Sequence, residues 1–317
     1  MGDTPARRRA LVLGASGNVG AAVTRRLVDR GDEVRVLVRH TSSTRGIDGL
    51  DVQRCYGDIF DTAAVVAAMA DRDVVFYCVV DTRAHLADPG PLFRTNVEGL
   101  RGVLDIAVTA DLQRFVFLST IGTIAVGADG QTVTEDTPVD WPGAGGPYID
   151  SCSRAEDLVL RYARDHGLPA AFGRAPVYLR GVGAEVVGID DAAEALVLAA
   201  ERGRVGERYI VSERYMTHRE MFTVAAQAVG ARPPRFGVPM ALVYVVAALT
   251  GTANRLLGTD FPLNTAAARL LAMTSPADHG KAVRDLGWHP GPAPEAIRRA
   301  ARCYVERRAR GEKVIDL

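Results

Sequence analysis

The sequence predicts an α/β fold, a doubly wound parallel sheet with a small C-terminal α/β domain. A glycine-rich turn joins an apolar strand to a helix at the N-terminus, short apolar runs then alternate with helical patterns, and this alternation gives way near Glu213. With 317 residues, 48% of them hydrophobic and 24% charged, the chain is long enough for one large core or two coupled units.

The first unit is the most informative. Leu11-Val12-Leu13 runs into Gly14-Ala15-Ser16-Gly17-Asn18-Val19-Gly20, and Val19, Val23 and Leu27 follow at helical spacing. Glycines at 14, 17 and 20 allow a tight turn and close backbone approach, and the following helix offers free N–H groups and the positive end of its dipole to a pyrophosphate. This strand, turn and helix together predict a Rossmann dinucleotide site.

Gly31-Asp32 breaks that helix, and Glu33 to Arg39 reads as the second parallel strand. An NAD-preferring fold usually ends this strand in an acidic residue that binds the ribose 2′-hydroxyl. Here Arg39 and His40 occupy the place, with Arg45 nearby, so the expected cofactor is NADP rather than NAD.

Val52 to Tyr56 leads to Gly57-Asp58-Ile59 and a helix over Thr62 to Met69. Asp73 to Val80 is almost continuously apolar, as a strand buried on both faces requires. Asn96-Val97-Glu98-Gly99 is expected to open a helix, and Arg114 to Thr120 to form the next strand. Ligands of such sheets sit beyond the carboxyl ends of the strands, where Gly14, Arg39, Val79 and Thr120 would gather.

Residues 1–175, completed by about 188–212, are read as the NADP-binding part, and 176–187 with 213–317 as the substrate-binding part. Thr217 and Glu220 have capping-box spacing, Pro233-Pro234 marks a turn, and Pro290 to Pro294 precedes a final helix ending near Arg308. Val238 to Leu249 is strongly apolar but shorter than the roughly 20 residues that span a bilayer. It is expected as a buried pocket-lining or interfacial helix.

The formal charge is +0, with a pI near 7.0, so no global field recruits nucleic acid or an anionic membrane. Arg7-Arg8-Arg9 reads as a solvated flank of the first strand. Cys55, Cys78, Cys152 and Cys303 show no metal-ligand spacing and suit reduced thiols in a cytoplasmic protein, with no metal expected.

Gly14-x-x-Gly17-x-x-Gly20, Gly57-Asp58-Ile59, Asn96-Val97-Glu98-Gly99, Phe117-Leu118-Ser119-Thr120, Tyr148 with Ser151 and Glu156, Asp190-Asp191 and Leu286-Gly287-Trp288 together resemble an extended short-chain dehydrogenase/reductase of the NAD-dependent epimerase/dehydratase family. The resemblance is to the dihydroflavonol reductases, 3β-hydroxysteroid dehydrogenases and hopanoid-associated sugar epimerases, over most of the chain. It implies that Ser16, Gly17, Asn18 and Val19 hold the pyrophosphate, that Asp58 and Ile59 border the adenine, and that Val79 and Val80 lie along the ribose and nicotinamide. It also implies that Thr120 hydrogen-bonds the substrate oxygen, and that Tyr148 is the proton donor and touches the cofactor.

Two departures stand out. The segment between Pro176 and Asp190 is shorter than in relatives, and the lysine four residues after the family's tyrosine is Cys152 here. Lys281 and Lys313 are the only lysines, and neither follows a tyrosine by four. An ammonium there would lower the phenol's pKa, each unit being roughly 1.4 kcal/mol, and would hold the nicotinamide ribose. A thiol does neither. Cys152 as a nucleophile lacks a neighbouring base or cation. Arg154 is turned about 200° away on a helix, while His85 and Arg180 lie in segments able to approach the site, so His85 and Tyr178 join Thr120 as expected substrate contacts.

The resemblance and the apolar stretch after Pro239 point to an NADP-dependent oxidoreductase of secondary metabolism, acting on a carbonyl or hydroxyl of a small, mostly apolar metabolite. A non-redox cyclase, dehydratase or isomerase with a structural dinucleotide is the alternative, because a phenol without its ammonium still donates a hydrogen bond. An NADP(H)-sensing regulatory protein is the third reading. Relatives pair through a four-helix contact that includes the helix bearing the tyrosine, which implies a homodimer. Arg154, Glu156 and Asp157 would make that surface charged, leaving a monomer open.

Overall fold

The computed structural model describes residues 7–84, 86, 88–124, 131–137, 146–175, 183–233, 240–257, 265, 268 and 275–310. Strands β1 (Arg9–Leu13), β2 (Glu33–Val38), β3 (Gln53–Tyr56), β4 (Val74–Tyr77), β5 (Arg114–Thr120) and β6 (Ala170–Ala175) form a parallel sheet in the order β3-β2-β1-β4-β5-β6. The order reverses between β1 and β4, which opens a crevice at their carboxyl ends.

Helices cover both faces because the strand side chains alternate between them. On one face Leu13, Val75, Tyr77 and Phe115 pack with residues of α2 (Thr62–Met69), α4 (Leu100–Ala107) and α5 (Gly146–His166). On the other, Val12, Val36, Phe76 and Val116 pack with Val23 and Leu27 of α1 (Asn18–Asp29) and with Leu196 and Val197 of α6 (Ile189–Arg202). Both faces are therefore dry, which accounts for the unbroken apolar runs.

Register brings Leu13, Leu37, Tyr77 and Phe117 into one row. The residues after each of these four therefore gather at one edge of the sheet. β5 continues three residues past the row and carries Thr120 beyond it.

The helix expected to start at Asn96 begins earlier. α3 (Gly90–Phe93) runs into a π-helical turn, Arg94–Gly99, and then into α4, so Asn96 lies inside a continuous helical segment. Such a wide turn is uncommon and accumulates at functional positions.

A second sheet pairs β7 (Gly183–Val186) antiparallel with β8 (Arg214–Thr217). Thr217 caps α7 (His218–Ala228), accepting from the Glu220 N–H at 3.3 Å, as its spacing predicts. The last helix, α9 (Ala293–Ala309), packs along α7. Trp288 is buried and donates through Nε1 to the Asp191 carbonyl at 2.9 Å, while Gly291 N–H reaches the Asp191 carboxylate at 3.1 Å. Asp191 and Leu286-Gly287-Trp288 thus form one joint between α6 and the C-terminal segment.

The apolar stretch forms α8 (Met240–Leu257). Leu242, Val245, Val246 and Leu249 are exposed on it, in contrast to the buried helix expected. Among the described residues no helix is long and apolar enough to cross a membrane. Glu156 is buried rather than part of a charged helix surface, accepting from Ser119 at 2.6 Å, Thr123 at 2.8 Å and Arg208 at 3.2 Å.

Candidate functional site

A cavity of about 550 Å³ opens at the carboxyl ends of β1, β2 and β4. Its size suits a nucleotide-like ligand. Gly14, Ser16 and Gly17 line its centre, Arg39, Ser42, Asp58, Ile59 and Phe60 one side, and Val79, Val80, Asp81, Thr82, Arg83 and Thr95 the other.

Two glycines make the central turn possible. Gly14 has φ +87°, and a Cβ there would meet the Cys78 carbonyl oxygen at 2.6 Å; a Cβ at Gly20 would run into the Gly14 carbonyl. Gly17, at the N-cap of α1, supplies no side-chain cap, which leaves the first-turn N–H groups directed toward the turn for an anion. The donor set therefore fits a dinucleotide diphosphate, and the cradle is one that any β-carbon would fill.

Of the expected cofactor residues, Gly14, Ser16, Gly17, Arg39, Asp58, Ile59, Val79 and Val80 lie on the cavity wall. Asn18, Val19 and Gly20 begin α1 just behind it. His40 is not on the wall. Its ring stacks on Tyr56, centroids 4.6 Å apart and planes within 6°, because the register sets Val38 beside Tyr56.

Tyr148, Thr120 and Cys152 come together next to the cavity rather than on its wall. Tyr148 stands in the first turn of α5, 9% exposed, against Leu92, Ile149 and Cys152, with Thr120 and Cys152 close enough to its hydroxyl to act on its ionisation. Burial pushes the Tyr148 pKa above that of a free phenol. The neighbouring Cys152 and the charge of Asp81 push the same way, while the Thr120 hydroxyl opposes them. Burial also moves the Cys152 thiol up to about 11. Both groups stay protonated at neutral pH, so Cys152 is a neutral neighbour and no thiolate nucleophile.

The sequence offers no sign of the contacts that fix this corner. Asn96, buried in the π turn, accepts from the Asp81 N–H at 2.7 Å and donates to the Asp81 carbonyl at 3.0 Å and to Ser151 at 2.9 Å. Ser151 donates to the Tyr148 carbonyl at 2.7 Å. One amide therefore ties the segment after β4 to the turn that presents the phenol, and brings Asp81 close enough to act on it.

Sequence reasoning misses Asp81, Thr82 and Arg83 as cavity residues, although Asp81 and Arg83 are the first charged groups after the apolar run that ends at Val80. Arg154 stacks over Phe93 at 5.1 Å, turned from the site as its helical position predicts. His85, Tyr178 and Arg180 lie outside the described residues. Among the described residues no group of His, Cys, Asp or Glu is arranged to hold a metal.

The model of the NAD dependent epimerase/dehydratase family matches residues 10–179. Sterol demethylase protein B of Methylococcus capsulatus is 27% identical over 94% of this chain and 98% of its own. A ketoreductase of Stigmatella aurantiaca named for 4-hydroxy-2-methyl-3-oxo-4-farnesyl-3,4-dihydroquinoline-1-oxide is 27% identical over 88% of this chain and 91% of its own. Among solved structures, gox2253 superposes with a TM-score of 0.82 at 28% identity, covering 97% of this chain and all (100%) of the other.

Proposed function

Because the chain belongs to the NAD dependent epimerase/dehydratase family, whose members bind a nicotinamide dinucleotide, we propose that it reduces a carbonyl of a small, mostly apolar metabolite with NADPH. The observation that carries this reading is the juxtaposition of Tyr148 and Thr120 beside a cavity with a glycine-built diphosphate cradle.

When bound, the cofactor supplies the hydride. Thr120 orients the substrate oxygen by a hydrogen bond, and Tyr148 delivers its proton to that oxygen as negative charge develops there. A phenol with a raised pKa is well matched to giving a proton to an alkoxide, a much stronger base than a phenolate. It is badly matched to taking one, because the phenolate needed for the reverse reaction is scarce at neutral pH. Tyr148 is therefore poised as the acid of the reduction.

Arg39, on the β2 side of the cavity beside Ser42, carries the preference for a 2′-phosphate. Arg39→Ala is expected to weaken NADPH binding by about 10- to 100-fold, the worth of one or two charge-assisted contacts, with little change for NADH. Equal losses for the two cofactors would remove the assignment.

An apolar substrate suits α8, where Arg255 is the single charged residue in eighteen, and the names of the two relatives, which refer to a sterol and a farnesyl compound. Purified protein incubated with NADPH and a panel of lipophilic ketones tests the reading. Cofactor consumption matched by alcohol product supports it. Product without consumption would instead indicate the non-redox cyclase, dehydratase or isomerase that the protonated Tyr148 and Cys152 also permit.

A further inference from the structure

We infer that Arg83 binds the nicotinamide half of the dinucleotide, replacing the cofactor-holding part of the role that Cys152 cannot fill. The inference rests on the NADP reading above and goes beyond it by naming the group that compensates for the lost lysine.

Arg39 and Arg83 are the basic residues among those that line the cavity. They stand on opposite sides of the glycine turn. In the strand order β2-β1-β4, Arg39 follows β2 and Arg83 follows β4, so a dinucleotide whose diphosphate rests on the turn after β1 extends one half toward each. If Arg39 serves the adenosine 2′-phosphate, Arg83 is left with the nicotinamide mononucleotide side.

Its guanidinium is held for such a task. Nε donates to the two Asp81 carboxylate oxygens at 2.9 and 3.2 Å, and Nη2 to one of them at 2.5 Å. Asp81 is itself fixed through its backbone by Asn96. The aspartate side chain is 7% exposed and the arginine 56%. Asp81 is thus a buried anchor that needs a cation, and Arg83, 56% exposed on the cavity wall, pairs with it through Nε and Nη2 and leaves Nη1 out of that pair. That edge suits a phosphate oxygen or a ribose diol through charge-assisted hydrogen bonds.

The division of labour is physical. Of the Asp81 and Arg83 pair it is the aspartate whose charge acts on Tyr148, so the guanidinium can hold a ligand without lowering the phenol's pKa. The lysine's two roles are separated here, one kept and the other lost.

Binding measured by fluorescence titration of NADPH and by calorimetry with adenosine 2′,5′-bisphosphate tests this, since the second probe lacks the nicotinamide half. Arg83→Gln is expected to weaken NADPH about tenfold, the worth of one charge-assisted hydrogen bond, and to leave the bisphosphate within about twofold. Arg83→Lys, which keeps the charge beside Asp81, is expected to recover part of the loss. Arg39→Ala weakens both probes. Unchanged NADPH affinity in Arg83→Gln, or equal weakening of both probes, overturns the assignment while the cofactor reading stands. Should the glutamine variant fail to fold, Arg83→Met, which keeps the length of the side chain and removes its charge and donors, decides, and wild-type NADPH affinity in it overturns the inference. Failure of the wild-type protein to bind either probe overturns the cofactor reading itself.

Discussion

Tyr148→Phe is expected to lower turnover in carbonyl reduction by about 10²- to 10⁴-fold, the range associated with loss of one positioned proton donor. The substitution removes a single oxygen from a packed position, and the ring keeps its neighbours Leu92, Ile149 and Cys152. Fold and NADPH affinity should therefore survive, because the phenol stands beside the cavity wall and not on it. Steady-state kinetics alongside an NADPH titration separate the two effects. A variant that keeps its rate would show that the proton reaches the substrate from elsewhere, and one that loses cofactor binding in parallel would make Tyr148 a cofactor contact first.

Cys152→Lys is expected to act in the opposite direction. An ammonium one helical turn from Tyr148 favours the phenolate. Each unit of lowered pKa is worth about 1.4 kcal/mol, or tenfold more phenolate at a given pH. Alcohol oxidation by NADP⁺ at pH 7, which needs a base, should rise several-fold up to about tenfold, and reduction with it, because at a fixed pH a catalyst leaves the equilibrium between them unchanged. The residue is 6% exposed, so placing a charge there lowers stability by about 1–3 kcal/mol, readable as a lower thermal midpoint. Unaltered oxidation in a folded variant would mean that the missing ammonium is not what limits the reverse reaction.

The sign of the pH dependence comes from the same shifts. Raised pKa values at Tyr148 and Cys152 keep both protonated through the neutral range. Reduction should then show no alkaline activation by either group, while oxidation should climb steadily as pH rises and phenolate becomes available.

Much of the fold is legible in residue order because it depends on local patterns. The glycine turn, the strand ends at Leu13 and Thr120, the helix Thr62–Met69 and the Thr217 cap each arise from a short spacing with a steric or hydrogen-bonding cause. Tyr148 and Thr120 meet because α5 returns beside β5, as the resemblance implies. The features that escape such reading depend on contacts distant in sequence. Asn96 reaches Asp81 and Ser151, 15 and 55 residues away, through a π turn that has no simple periodic signature. His40 reads as a ligand beside Arg39, but the pairing of β2 with β3 gives it Tyr56 as a stacking partner. Arg83 stands out in the sequence only as a charged group soon after an apolar run, because its significance comes from a buried aspartate two residues earlier whose backbone is held by Asn96.

The central claim is that Tyr148 stays a neutral donor in the folded protein. The ultraviolet tyrosinate signal of wild type minus Tyr148→Phe, monitored from pH 7 to pH 10 with NADP⁺ present, measures its ionisation without any knowledge of the substrate. A flat difference across that range is the predicted result. A tyrosinate appearing with a midpoint below pH 9 and absent from the variant would contradict it, and would mean that some cation replaces the lysine electrostatically as well as structurally.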